Sequence, residues 1–422
     1  MKSQVLLATS GLFLLSSPTV TVAQQADLFA RDRNVAVTQR GRPELEALGI
    51  RAGTMMVYPK LQGDLGYDSN VRADENGENS DTYARFTPSV DVESDWSRHA
   101  LRASAEAGFT RYTDLTDENS ETYRVGASGR VDVQRETQLT GGADYARQFE
   151  PRTASNTPQA IADPIEYDSR SGYVGVAHTF NRLRATGRFD AVELDYDDGR
   201  SIGGAVVDQD DRDQTTYETL ARLDFAISPA TALFGRVSWN DRQFDDAGSL
   251  RTPNRDSSGF NAIVGANFEL SNLIRGEAGV GYLKQEYDNP LYGELSGLSA
   301  NARLEYFASP LLTLGLTGDR SVGDSGIVGT AGFLSTTLQV TADYELRRNI
   351  IVGARLGRAV EEFDTIDREN ARIFGTLRAT YLMNRRFGLT ASYDFESRES
   401  DGLNPINDFT ANRVLVSLVA QY

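Results

Sequence analysis

Two imidazoles and no thiol are available for chemistry in a chain of 422 residues. A nucleophile–base couple or a zinc site needs such side chains brought together. His99 stands in "SDWSRH" (94–99) and His178 one to three residues from "FNRL" (180–183). Both therefore belong to chain reversals, and a structural role in turns is the expectation for each. Acidic clusters are the second source of chemistry: "ELDYDDG" (193–199), "DQDDRD" (208–213) and "NDRQFDD" (240–246). Asp195, Asp197 and Asp198 precede Gly199 in the manner of a calcium loop. The D-x-D-x-D-G spacing and the distal glutamate are missing, however. A solvated surface, bridged by divalent ions to lipid phosphates, is the expected reading, with no catalytic residue, metal site or cofactor.

What remains is charge placed at every second position of apolar segments. Arg102 and Glu106 alternate with Leu101, Ala103, Ala105, Ala107 and Phe109. Arg124 and Arg130 alternate with Tyr123, Val125, Ala127, Val131 and Val133. Arg236, Arg275, Glu277, Arg303, Glu305, Arg355 and Arg378 repeat the pattern further on, as do Arg188, Arg413, Asp132, Asp190, Asp224, Asp343 and Asp394. Period-two alternation puts all these charges on one face of successive β-strands. On the inside of a wide closed sheet they would line a polar conduit. The plainer alternative is a wall held together by cross-strand ion pairs, each worth little where wet.

Such strands need turns to join them, and the turns fall in two lengths. Short ones lie at 94–99, 133–137, 180–183, 228–231, 271–274, 309–312, 347–350 and 384–387, rich in Ser-Pro, Asn-Arg and Ser-Asn. Longer ones lie near 72–81, 114–121, 150–166, 198–213, 246–257, 289–296, 322–332, 364–370 and 401–409. Together they separate about 18 strands of roughly ten residues, within a range of 16–18. The expected fold is all-β: a transmembrane antiparallel up-and-down β-barrel over 56–422, with its apolar face to lipid. Tyr67, Phe109, Tyr112, Tyr145, Tyr282, Tyr306, Tyr344 and Tyr393 are expected at the membrane interfaces.

Both ends of the chain agree with export. Lys2 followed by the apolar run Val5–Leu15 reads as a signal peptide over 1–23. Residues 24–55 form a periplasmic lead, either touching a partner or serving as a disordered tether, in which 43–48 can make one or two helical turns ended by Gly49. The last strand places Val414, Val416, Leu418, Ala420 and Tyr422 on one face, with Leu415 and Val419 breaking the polar row opposite. This ending resembles the C-terminal strand of bacterial outer-membrane proteins, and that resemblance assigns Val414, Val416, Leu418 and Tyr422 to an assembly signal. The expected location is the outer membrane of a Gram-negative bacterium. The expected partners are its lipid and lipopolysaccharide, the barrel-assembly machinery and polysaccharide-export components. A net charge of -17 argues against nucleic acid. A mean hydropathy of -0.41 is compatible with a barrel, because only alternate strand residues need be apolar.

A narrower likeness lies in 40–71 and 86–102. Gly49-Ile50-Arg51-Ala52-Gly53, Tyr67-Asp68-Ser69-Asn70 and Ser94-Asp95-Trp96-Ser97-Arg98-His99 resemble the opening of the putative β-barrel porin 2 family. The resemblance implies an outer-membrane barrel associated with exopolysaccharide secretion, and it brings no catalytic residues. Two functions stay open: a porin-like channel with a charged lumen, or a non-conducting structural and docking barrel.

Overall fold

A computed structural model describes residues 34–75, 79–155, 161–245, 253–325, 330–363 and 365–422. The expected signal at 1–23 and the first part of the lead lie outside the described residues. The first nine strands are β1 (Met55–Asp68), β2 (Asp81–Ser94), β3 (Ala100–Tyr112), β4 (Ser120–Asp132), β5 (Thr137–Phe149), β6 (Glu166–Phe180), β7 (Leu183–Tyr196), β8 (Gln214–Ser228) and β9 (Thr231–Phe244). The second nine are β10 (Ser257–Leu270), β11 (Ile274–Tyr287), β12 (Leu295–Ser309), β13 (Leu312–Asp324), β14 (Gly332–Arg347), β15 (Ile350–Phe363), β16 (Arg368–Leu382), β17 (Phe387–Gly402) and β18 (Phe409–Gln421). Each pairs antiparallel with its sequence neighbour. The ring closes where β1 pairs with β18, from Lys60 opposite Gln421 to Asp68 opposite Arg413. All eight short turns gather at one end and all nine longer loops at the other, as the sequence indicates. Among the described residues no helix is long and apolar enough to cross a membrane.

Closure satisfies every ladder without leaving an edge, the condition for a sheet that crosses lipid. Pro88 is tolerated in β2 because the β2–β3 register simply skips Thr87 and Pro88. The face carrying Leu65, Val125, Val174, Val264, Leu298, Leu356 and Leu377 is exposed and apolar, so it is the outside. Asp64, Asp68, Asp190, Arg222, Asp224 and Glu396 occupy the opposite face and are buried. The expected charges alternate onto that inner face.

Three expectations change. The strands run 13–16 residues rather than about ten. A 14-residue strand rising about 3.3 Å per residue and tilted about 40° covers roughly 35 Å, against an apolar band about 25 Å tall. The surplus stands clear of the band, and it explains the second change: charges also occur on the outer face near the long-loop end. Arg147 and Arg170 there pair with Glu166, Asp168, Glu193 and Asp197. Third, Tyr112 is not an interface residue. It lies three positions from outward-facing Phe109, so parity turns it inward, where its ring packs 5.3 Å from that of Tyr83. Tyr67, Tyr145, Tyr282, Tyr306, Tyr344 and Tyr393 are exposed on the outer face.

Candidate functional site

The lumen has two unlike walls. On β3–β5 the arginines are wet: Arg102, Arg124 and Arg130 keep 64%, 57% and 47% of their side chains exposed. Arg102 lies 3.4 Å from Glu93, Arg124 3.0 Å from Asp144 and Arg130 3.1 Å from Asp132. Glu106 is exposed opposite Arg124 in the ladder. On β8–β12 the wall is filled. Arg222, only 7% exposed, grips Asp224 and Glu277 at 2.7 Å each and lies 4.1 Å over the ring of Phe234. Arg236 sits opposite Arg222, and Arg303 opposite Glu277. Arg355 and Arg378 face in from β15 and β16, opposite Thr376 and Ser392 respectively.

Arg222 escaped the sequence reading although a signal existed. Arg130, Arg188 and Arg222 each precede an aspartate by two positions, and each pairs with it along its own strand. Period two puts both partners on one face, so Arg-x-Asp in a strand is a self-neutralising unit.

The lead closes part of the short-turn end. It forms a 3-10 turn at Val37–Gln39 and a single turn at 43–46, not a helix over 43–48, and Gly49 takes a left-handed φ of 69°. It is no free tether: Val37 and Arg42 are fully buried against the inner wall. Val37 N donates to Thr313 Oγ1 at 3.1 Å. Arg42 donates to Glu345 Oε2 and to the Val37 and Arg40 carbonyls at 3.0 Å, and to the Arg348 carbonyl at 3.2 Å. Arg40 reaches the same Glu345 oxygen. Burial pulls the Arg42 guanidinium below its ordinary pKa, and Glu345 opposes that pull. Arg275 and Glu305, expected to line the conduit, pair with each other, and Arg275 also binds Gln39 Oε1 of the lead at 3.0 Å.

The long-loop end is laced together by arginines. Arg212 pairs with Glu150 at 2.5 Å, and Arg152 with Glu118 at 2.9 Å. Arg152 also donates to the Ile161 and Ala162 carbonyls, Arg398 to those of Thr153, Ala154 and Asn407, and Arg255 to those of Ser325 and Asp211. The β17 end is thereby tied to the loop after β5. Within this cap, Asp198, Asp208 and Asp210 bring carboxylate oxygens within 4.8 Å of one another, all exposed. His99 lies in a short turn, and His178 lies in β6 two residues from its short-turn end. His99 Nδ1 accepts from Asp132 N at 3.2 Å, and His178 Nδ1 lies 2.7 Å from Thr137 Oγ1.

Asp213 makes the cap responsive to pH. Burial is the main cause that pushes its carboxyl up to about 6, helped by Asp195, Asp210 and Asp245 and opposed by the Tyr196 amide it accepts from. A folded pKa above the unfolded value of about 3.9 means the folded state holds more protons between these values. Stability from this group is therefore lost as pH rises through about 4 to 6. Asp213→Asn should slow proteolysis within 197–213 at pH 7.5 and change nothing at pH 4.5. Equal cleavage of both proteins at pH 7.5 would refute the assignment.

The terminal strand is held at its last residue. Tyr422 N donates to the Pro59 carbonyl at 3.2 Å, its own carbonyl accepts from Gly49 N at 3.1 Å, and Arg386 lies 5.4 Å from its ring. Val414, Val416, Leu418 and Tyr422 share the exposed outer face, whereas Leu415 points inward and is buried. Deleting Tyr422 should cut the amount of assembled, heat-modifiable barrel severalfold, and Gln421→Ala should not. Equal assembled amounts would remove the case for an assembly signal.

An uninterrupted antiparallel ring of 18 strands with an apolar exterior, a charged interior and turns sorted by length defines a membrane-spanning barrel of the porin type. The chain belongs to the putative beta-barrel porin 2 family, whose sequence profile matches residues 42–422. No curated protein matches the sequence. Among solved structures, the outer membrane protein opdK from Pseudomonas aeruginosa is 12% identical over 87% of this chain and 99% of its own, with a TM-score of 0.46. The siderophore receptor PirA from Acinetobacter baumannii is 7% identical over 87% of this chain and 80% of its own, with a TM-score of 0.49.

Proposed function

We propose that this barrel is a channel in the outer membrane of a Gram-negative bacterium, that its charged lumen tunes passage, and that it serves exopolysaccharide export. The carrying observation is the wet wall: three arginines keep about half or more of their side chains exposed inside a closed sheet. A ring of 16–18 strands is too wide for side chains to fill and encloses water. Hydrated arginine, glutamate and serine suit a hydroxyl-rich, acidic polymer. Outer-membrane lipid, lipopolysaccharide, the assembly machinery and export components are the partners this role implies.

Arg303 is the lever for a test. It is exposed, and the carboxylate opposite it, Glu277, is already taken by Arg222. Arg303→Ala should leave heat-modifiable folding intact, since an exposed charge contributes under about 1 kcal/mol. In planar bilayers its reversal potential should shift toward cation preference. An unchanged potential in a folded variant would mean Arg303 does not shape the path. Acidic polysaccharide fragments should block the wild-type current, and loss of the gene should lower polymer secretion.

A second reading has its own support. The docked lead and the laced loops both narrow the mouths, as a non-conducting docking barrel would require. A well-folded barrel that stays silent in bilayers would decide for that reading.

A further inference from the structure

On the inner wall from β9 to β15, every third strand carries an arginine at the same height. Arg236 follows Thr231, the first residue of β9, by five positions, and Arg355 follows Ile350, the first residue of β15, by five. Arg303 precedes Ser309, the last residue of β12, by six. All three strand ends lie at the short turns. With a rise of about 3.3 Å per residue and a tilt of about 40°, the three arginines stand roughly 13–15 Å above those turns. The strands between them present small or hydroxylated residues at this height. β10 and β11 supply Gly265 and Gly279, whose missing Cβ atoms make room for the ring of Phe234. β13 and β14 supply Thr317, directly opposite Arg303, and Thr341, directly opposite Arg355, both partly exposed.

These arginines differ from their neighbours in having no counter-ion. Arg188 is bound to Asp190, Arg222 to Asp224 and Glu277, and Arg275 to Glu305. Arg236, Arg303 and Arg355 hold neither an ion pair nor a hydrogen bond among the described residues. Arg303 is exposed and the other two are partly so. The nearest inward carboxylates stand off the belt: Glu277, Glu305 and Asp343 nearer the short turns, Asp319 nearer the long loops. Lumen arginines of this kind draw anions, and the guanidinium fork matches a carboxylate. One such contact in water is worth little. Three in series, about 14 Å apart along the ladder and converging toward the axis, favour a ligand that carries its charges in a row. A hydroxyl both donates and accepts, so Thr317 and Thr341 suit sugar hydroxyls between those charges.

We propose that Arg236, Arg303 and Arg355 form one binding site for a run of carboxylated sugars, of the polyuronate class. Each guanidinium takes a carboxylate, and Thr317 and Thr341 bond the ring hydroxyls between Arg303 and Arg355. A single sugar acid meets one arginine at a time and is not held. The assignment rests on the reading that an acidic polymer enters this lumen, and it adds which chemistry of the polymer is recognised and where.

The test is calorimetric titration of the full barrel in detergent with hexagalacturonate, galacturonate, the methyl-esterified hexamer and inorganic tripolyphosphate. The hexamer should bind about a hundredfold more tightly than the monomer, and esterification should abolish binding. Arg236→Ala, Arg303→Ala and Arg355→Ala should each weaken the hexamer about fivefold, the upper worth of an exposed ion pair. The triple variant should lose about a hundredfold. Arg358→Ala, on the outer face of β15, should change nothing. Unchanged hexamer affinity in the three single variants, each shown to be folded by heat-modifiable migration, would overturn the site. Equal binding of the esterified hexamer, or tripolyphosphate bound as tightly as the hexamer, would overturn the assignment to carboxylated sugars. A barrel silent in bilayers that still binds the hexamer would sink the channel reading and leave the site standing. A conducting barrel that ignores the hexamer would do the reverse.

Discussion

Replacing Arg42 with alanine should release residues 34–48 from the inner wall without unfolding the barrel. The fully buried guanidinium ties that segment to the barrel through Glu345 and the Arg348 carbonyl and holds its fold through the Val37 and Arg40 carbonyls, and none of these bonds belongs to a strand ladder. Removing one partner of a buried ion pair costs about 3–5 kcal/mol, because the charge left behind stays out of water. Glu345 keeps Arg40, whose side chain is 27% exposed, so the lower end of that range applies. A loss of about 3 kcal/mol moves the docked-to-undocked ratio by roughly a hundredfold. The lead should become protease-sensitive while heat-modifiable folding persists, and single-channel conductance should rise. A lead still protected in the variant would show that the latch lies elsewhere.

The largest loss of stability should come from the seam. Arg413 joins Asp68 of β1 at 2.6 Å to Glu396 of β17 at 3.4 Å, and Arg372 continues the chain from Glu396 to Glu361. Glu396 is 1% exposed and Asp68 4%. Arg413→Ala takes from buried Asp68 its cation and leaves Glu396 with Arg372 alone, on the strands flanking β18, at the one place where first and last strand must meet. A cost of about 3–5 kcal/mol is expected, read as a lower midpoint of urea unfolding in lipid vesicles. Arg102→Ala is the control. Its pair with Glu93 is longer and largely wet, so the change should stay under about 1 kcal/mol. Matching midpoints for the two variants would contradict the distinction between wet and dry walls.

The sheet was legible in the sequence because period two and turn length are local properties. Eighteen strands and every connection between them follow from residues within ten or so positions of one another. Which charges meet was not legible. Arg222 reaches Glu277 across three strands, and Arg413 reaches Asp68 across nearly the whole chain, through a register that no local pattern encodes. Tyr112 shows the opposite failing: its aromatic type suggested an interface, but strand parity outranks residue type. The lead has no periodicity to read. Its burial depends on Glu345 and Thr313, some 300 and 276 positions away respectively.

The arginines of the long-loop cap grip main-chain carbonyls more often than side chains. A carbonyl is common to all twenty residue types, so Arg398 recognises the path of the chain at Thr153 and Ala154 and is blind to what those residues are. The same holds for Arg152 at Ile161 and Ala162. A surface built this way can change its lettering without changing its shape. Substitution along that path therefore leaves the arginine contacts of the cap in place.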